Sequence, residues 1–124
     1  MNKNICDESG RFQLSAEPAD TFTKRFRGLM FKPSLPSGQG LLLVPCSSIH
    51  TCFMRFTIDV VYLSKDYKVL GIETIAPWRV GRHVPGTKMV LETAAGYAAQ
   101  LQTGSSLICR QAPAEYSGLH GPER

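Results

Sequence analysis

The polar residues best suited to chemistry crowd one stretch of the chain: Cys46, Ser47, Ser48, His50, Thr51, Cys52, Arg55 and Asp59. Three kinds of site can be built from them. Metal ligation is the most specific. His50 and Cys52, at i and i+2 of an extended strand, share a face, and Cys46 could reach the same ion across a turn. Thiolate and imidazole are ligands that zinc favours. Thiol chemistry is the second: Cys46 or Cys52 beside His50 and Arg55 has the base and the positive surroundings that a reactive thiolate needs. The third is recognition of a small polar or anionic ligand by Arg27, His50, Thr51, Arg55, Asp59, Trp78 and Arg79. Arginine presents a rigid fork of donors that matches a carboxylate or phosphate, and the single Trp78 offers a flat face for stacking.

Each reading has a plainer rival. The cysteines can be buried, reduced thiols, and no CxxC pair suggests a zinc ribbon or a thioredoxin-type motif. Arg27 can form a structural ion pair with Asp59 or Glu92, and Trp78 can plug the core. Asp59 stands between Ile58 and Val60, an unusual place for a carboxylate, where its charge must be paired or hydrogen-bonded. Met30, Met54 and Met89 read as core filler. Glu92 precedes an Ala-rich stretch and suits either a charge at a helix N-terminus or a catalytic acid.

The elements that must position these residues are short. Arg11–Ala16 alternates as a strand, with Phe12 and Leu14 on one face. Asp20 or Thr21 can cap a helix whose Phe22, Phe26, Leu29 and Met30 recur at helical spacing, with Gly28 supplying its exit. Leu41–Val44, Ile49–Met54, Ile58–Leu63, Lys68–Ala76, Lys88–Glu92 and Ser106–Arg110 read as strands, and Ala94–Gln102 as a second short helix. The polar turn at Ser64–Tyr67 makes 58–76 a hairpin. Pro77–Gly86 is an extended loop. Residues 1–10 read as a flexible N-terminal segment, 11–110 as one β-rich domain and 111–124 as a disordered tail.

These elements predict a mainly β fold, an antiparallel β-sandwich or barrel-like domain with one or two short helices. A doubly wound α/β fold does not fit, because helices do not alternate with strands and no Gly-rich phosphate loop follows the first strand. The 124 residues, 43% of them hydrophobic, suffice for one core without metal or disulfides. The formal charge of +4 is mild and its bases are scattered, which argues against nucleic acid as a partner. No stretch reaches the roughly 18 apolar residues of a membrane span, and the N-terminus has no apolar core of a signal peptide, so a soluble cytoplasmic protein is the expectation.

In order along the chain, RGLMFKPSL, GQGLLLVPCSSIHTCFMRFTIDVVYLSKDYKVL, APWR and VLETAAG resemble the uncharacterised domain of unknown function family number 192, over about residues 11–110. The resemblance implies a β-rich, sandwich-type domain and carries no assigned activity. The chain departs from it at Gly104-Ser105, where members often have Gly-Asp, and at Thr57, where many have Pro. Two main functions follow: a module that binds a small polar or anionic molecule, or a small hydrolytic or metal-assisted enzyme using His50 with Cys46 or Cys52. A protein-interaction domain working through an exposed sheet edge is a third. No cofactor is expected beyond zinc in the metal reading, and the sequence fixes neither the ligand nor the oligomeric state.

Overall fold

The computed structural model describes residues 2–111; of the tail expected at 111–124, Gln111 ends the last strand and the rest lies outside the described residues. Seven strands form one sheet: β1 Lys3–Asp7, β2 Gln13–Ala19, β3 Gln39–Leu43, β4 Ile58–Leu63, β5 Val69–Ile75, β6 Met89–Ala94 and β7 Leu107–Gln111. Their order across the sheet is β5-β4-β6-β3-β2-β1-β7. Every pairing is antiparallel except β2–β3, which is parallel. The sheet curls into a half-barrel. Its two edges approach where Lys68 bridges Ser106, and the Val69 N–H donates to Ser105 O while the Leu107 N–H donates to Tyr67 O. The mainly β, barrel-like architecture is therefore the one that forms, as a single curled sheet.

Residue parity, shifted once in β5 by the register irregularity opposite Tyr62 and Leu63, explains how the sheet covers both its faces. Ile5, Leu14, Ala16, Leu42, Val61, Leu63, Val69, Leu91 and Leu107 come from all seven strands and meet in one core. Side chains from every strand can converge only on the concave side of a curled sheet. The alternate set, Ala19, Leu41, Leu43, Ile58, Val60, Tyr62, Ile75 and Val90, packs on the other face with Leu29, Ile49, Met54 and Val84 from the connecting segments. β4 is consequently buried along its whole length and β6 along all but its last residue, as the apolar runs of covered strands require.

The outer face receives Leu29, which follows the short helix α1, Phe22–Arg27. The Thr21 side chain caps the helix by accepting the Lys24 N–H at 3.2 Å, and Gly28 leaves it at φ +49°, a conformation that favours glycine. The Ala-rich stretch after β6 is shorter than expected, one 3-10 turn at Tyr97–Gln100.

Two expectations are corrected. Residues 3–7 are not a loose end. They form β1 between β2 and β7, because Ile5, the one apolar residue of an otherwise polar segment, is buried in the concave core. Residues 49–54 are not a continuous strand. Pairing lasts only near His50, which bridges Val80; the Met54 N–H then folds back onto Thr51 O at 3.2 Å, and Phe53 turns at φ +64°. The alternation expected to place His50, Cys52 and Met54 on one strand face does not apply.

Asp59 occupies the concave side of β4 at 3% exposure. It accepts from Thr74 Oγ1 at 2.7 Å, from the Gly96 N–H at 2.9 Å and from the Ala98 N–H at 3.1 Å. One carboxylate thus ties β4 to β5 and to the 3-10 turn, which settles what its charge does inside an apolar strand. Asp59→Ala leaves these donors unsatisfied, and urea denaturation should show a loss of roughly 1–3 kcal/mol; an unchanged midpoint at constant m would contradict the tie.

Candidate functional site

Between α1, the segment leaving β3 and the middle of β6 lies a cavity of about 340 Å³. Its apolar lining is Leu29, Met30, Leu43, Ile49 and Met54; its polar lining includes Arg25, Arg27, Cys46, Ser48, His50 and Glu92. An apolar body with a few convergent polar groups is the usual composition of a small-molecule site.

Glu92 is the unusual member. The register opposes it to Leu41 on β3 and Val60 on β4, so its side chain leaves the outer face of the sheet among aliphatic neighbours. It is 3% exposed, and among the described residues its Oε1 is a buried side-chain atom with no hydrogen-bond partner. Burial pushes its carboxyl up to about 8, because a charge without compensating donors is costly in a medium of low polarity. Near neutral pH the group is therefore mainly a neutral acid, able to donate as well as accept.

Around this acid stand basic and polar groups held by the backbone. Arg25 is half-buried and donates through Nη1 to Val44 O at 3.3 Å. The Cys46 thiol donates to Ser48 O at 3.0 Å. Burial pushes that thiol up, with Glu92 adding to the effect and Arg25 opposing it, so Cys46 lies within electrostatic reach of both. His50 is half-buried; its Nδ1 accepts the Cys52 N–H at 3.1 Å, and its ring meets Phe26 edge-on at 6.1 Å between centroids.

Of the candidate ligand and metal residues that sequence reasoning named, the structure brings Arg27, Cys46 and His50 to this cavity, with Ser48 beside them, and leaves Thr51, Cys52, Arg55, Asp59, Trp78 and Arg79 off its lining. Thr51 is wholly buried: its hydroxyl donates to Ala76 O at 2.6 Å and accepts the Arg79 N–H at 2.8 Å. It ties the 76–79 segment in place. Asp59 is spent on the concave side. Arg55 and Arg79 are exposed. Trp78 does not plug the core. It is 57% exposed and packs against Phe53, with ring centroids 4.7 Å apart, and Phe53 packs in turn on Phe31 at 5.4 Å. Among the described residues no group of three or more His, Cys, Asp and Glu side chains is placed to hold a metal ion; Cys46, His50 and Cys52 do not form one. The arginines of α1 do not pair with Asp59 or Glu92: the ion pair found among the described residues joins Arg82 to Glu73 at 4.0 Å.

Sequence reasoning did not assign Arg25 or Phe26 to the site, since their helix registers as an apolar face, and it left Glu92 open between a charge at a helix N-terminus and a catalytic acid. The missed signal was present. Met89-Val90-Leu91-Glu92 sets an acid in an apolar strand, the same anomaly that drew attention to Asp59.

A mainly β half-barrel with a lined outer cavity defines a single-domain β protein of an uncharacterised class. The model of the DUF192 family, described as "Uncharacterized ACR", matches residues 5–108, and the chain belongs to that family. Relatives carry the name UPF0127 protein: one from Thermococcus sibiricus is 40% identical over 86 residues, 63% of this chain and 53% of its own length. Another, from Pyrococcus horikoshii, is 39% identical over 83 residues, 61% of this chain and 70% of its own length. The match thus spans only about half of the first of these relatives. Two solved structures share the fold. A protein of unknown function from Novosphingobium aromaticivorans has a TM-score of 0.76 at 22% identity, covering 87% of this chain and 84% of that one. A putative transcription regulator from Sinorhizobium meliloti has a TM-score of 0.73 at 21% identity, covering 87% and 92%.

The raised Glu92 makes stability depend on pH. Folded Glu92 holds its proton to about 8, against an ordinary value of 4.5. Between those values the folded state binds more protons than the unfolded state, so this contribution is complete below 4.5 and is lost as pH rises to about 8. In urea titrations Glu92→Gln should flatten a decline that approaches about 1.4 kcal/mol per pH unit in the parent protein. Parallel declines in both proteins would show that Glu92 is not the group responsible.

Proposed function

We propose that this domain is a binding module for a small molecule that is polar or anionic at one end and apolar over the rest, seated in the cavity between α1 and β6. The observation that carries the reading is the Glu92 carboxyl: buried, with an unpartnered oxygen, on the wall of a cavity that also presents Arg25, Arg27 and His50. A buried polar atom without a partner costs roughly 1–3 kcal/mol. A ligand that completes the hydrogen bond recovers part of that cost, which is a physical reason for such a group to face an accessible hollow. The arginines supply charge at no desolvation cost comparable to Glu92's own, since Arg27 is exposed and Arg25 half-buried.

The same geometry bears on the enzymatic alternative. A cysteine nucleophile requires a thiolate, and burial holds the Cys46 thiol up. Binding is therefore better supported than thiol catalysis. Metal-assisted chemistry would need ligands beyond those gathered here.

Native mass spectrometry of freshly purified protein tests the reading. The expected result is a co-purifying small molecule that stabilises the fold and is depleted when Arg27 and His50 are both changed to Ala. Loss of charge-assisted contacts should weaken binding roughly 10- to 100-fold, the equivalent of about 1.5–3 kcal/mol. An adduct retained equally by the double variant and by a cavity-filling Met30→Trp variant would place the ligand elsewhere.

A further inference from the structure

We propose, on the binding reading above, that the polar end of the ligand is a carboxylate and that it enters with Glu92 in its protonated form, the two carboxyl groups sharing one proton in a cavity whose lining includes Arg25. Three observations converge on this class. Glu92 Oε1 is buried and unpartnered on the cavity wall. The groups of opposite sign nearby are Arg25 and Arg27 of α1, so an entering anion is attracted while an entering cation is repelled. The rest of the lining, Leu29, Met30, Leu43, Ile49 and Met54, is aliphatic or thioether, which suits a hydrocarbon body better than a second charged group.

The proton count decides between ligand types. A neutral Glu92 donates its O–H to a ligand carboxylate and leaves one negative charge shared between two carboxyl groups, in a cavity whose lining also carries Arg25 and Arg27. An ionised Glu92 would set two negative charges together, which adjacent carboxyls avoid by retaining a proton. An ammonium ligand would instead require Glu92 to ionise among aliphatic neighbours, in a cavity whose lining already carries Arg25 and Arg27. Carboxylate uptake is thus the arrangement in which every buried polar atom gains a partner without a new unpaired charge.

The charged and titratable groups around the Glu92 cavity are few. From α1 these are Arg25 and Arg27. From the segment after β3 they are Cys46 and His50. The neighbouring strands contribute Leu41 and Val60, which carry no charge. The Cys46 thiol is pushed up by burial.

The test uses isovalerate as the carboxylate probe, with isovaleramide and isopentylamine as its neutral and cationic counterparts. Binding to the full chain is followed by calorimetry and by methyl NMR shifts of Leu29, Leu43, Ile49 and Met54. Isovalerate should shift these methyls, bind more tightly than either counterpart, and lose affinity about tenfold per pH unit above about 8. Glu92→Gln keeps a donor and should bind isovalerate with that pH slope abolished; Arg25→Gln should weaken it at least tenfold. Binding of isovalerate with no pH slope in the parent protein overturns the shared proton. Preference for the amide or the amine, with the same methyls shifting, overturns the carboxylate class and leaves the binding reading intact. No shift with any probe, together with no co-purifying molecule, overturns both.

Discussion

Two carboxyl groups inside an apolar sheet constrain the rest of this structure. Asp59 and Glu92 stand on paired strands in the middle of the sheet, one register step apart: Asp59 opposes Thr93, and Val60 opposes Glu92. Because side chains alternate across a strand, that single step sends the two acids to opposite faces. Asp59 enters the concave core and finds three donors there. Glu92 enters the outer core and leaves one oxygen without any. The first acid has become part of the scaffold, tying the 3-10 turn over the core. The second cannot be explained by what it holds together, and its surroundings define the cavity.

The outer face is where the sheet depends on its loops. On the concave side the strands cover one another through the curl. On the outer side they rely on Leu29 and Leu35 after α1, on residues 46–56 and on Val84 for their apolar contacts. These segments have few ladder hydrogen bonds of their own, so they are held by side-chain ties. Thr51 is the chief of them. Its backbone N–H donates to Arg79 O and its carbonyl accepts the Trp78 N–H, while its hydroxyl serves Ala76 and Arg79. A residue that seemed poised to recognise a ligand turns out to fix the loop on which Trp78 and Arg79 sit.

How much of this was legible follows from what periodicity encodes. β3, β4 and β5 were readable because burial on one or both faces writes an apolar pattern into the chain, and Ser64–Tyr67 marks the turn between β4 and β5. β1 was not, since one inward residue, Ile5, makes no pattern. The alternation of 49–54 was genuine but misleading: polarity alternates as in a strand, whereas the backbone turns after Thr51, a choice set by hydrogen bonds to the distant 78–81 segment. At the site, Arg27 and His50 were reached through residue type. Arg25 was not, and Glu92 was read only as a helix-end charge or a catalytic acid, because recognising an unpartnered acid requires knowing which donors the fold brings near it, and that is a property of tertiary packing.

The exposed aromatic residues fit the same logic of positioning. Phe31, Phe53 and Trp78 each adopt a positive φ, +66°, +64° and +66°, a conformation that costs non-glycine residues of order 1–3 kcal/mol apiece. Such a cost persists only where neighbouring contacts over-determine it. Here the three rings pack on one another, and the Phe31 N–H donates to Phe53 O at 3.0 Å. The consequence reaches the cavity through the chain. Phe31 follows Met30, and Phe53 precedes Met54; both methionines line the hollow. The aromatic cluster therefore clamps the exit of α1 to the 51–54 turn and fixes the spacing of two cavity walls from outside. Trp78, selected in the sequence as a stacking surface for a ligand, stacks instead on the protein, and its influence on the site passes through the backbone that it braces.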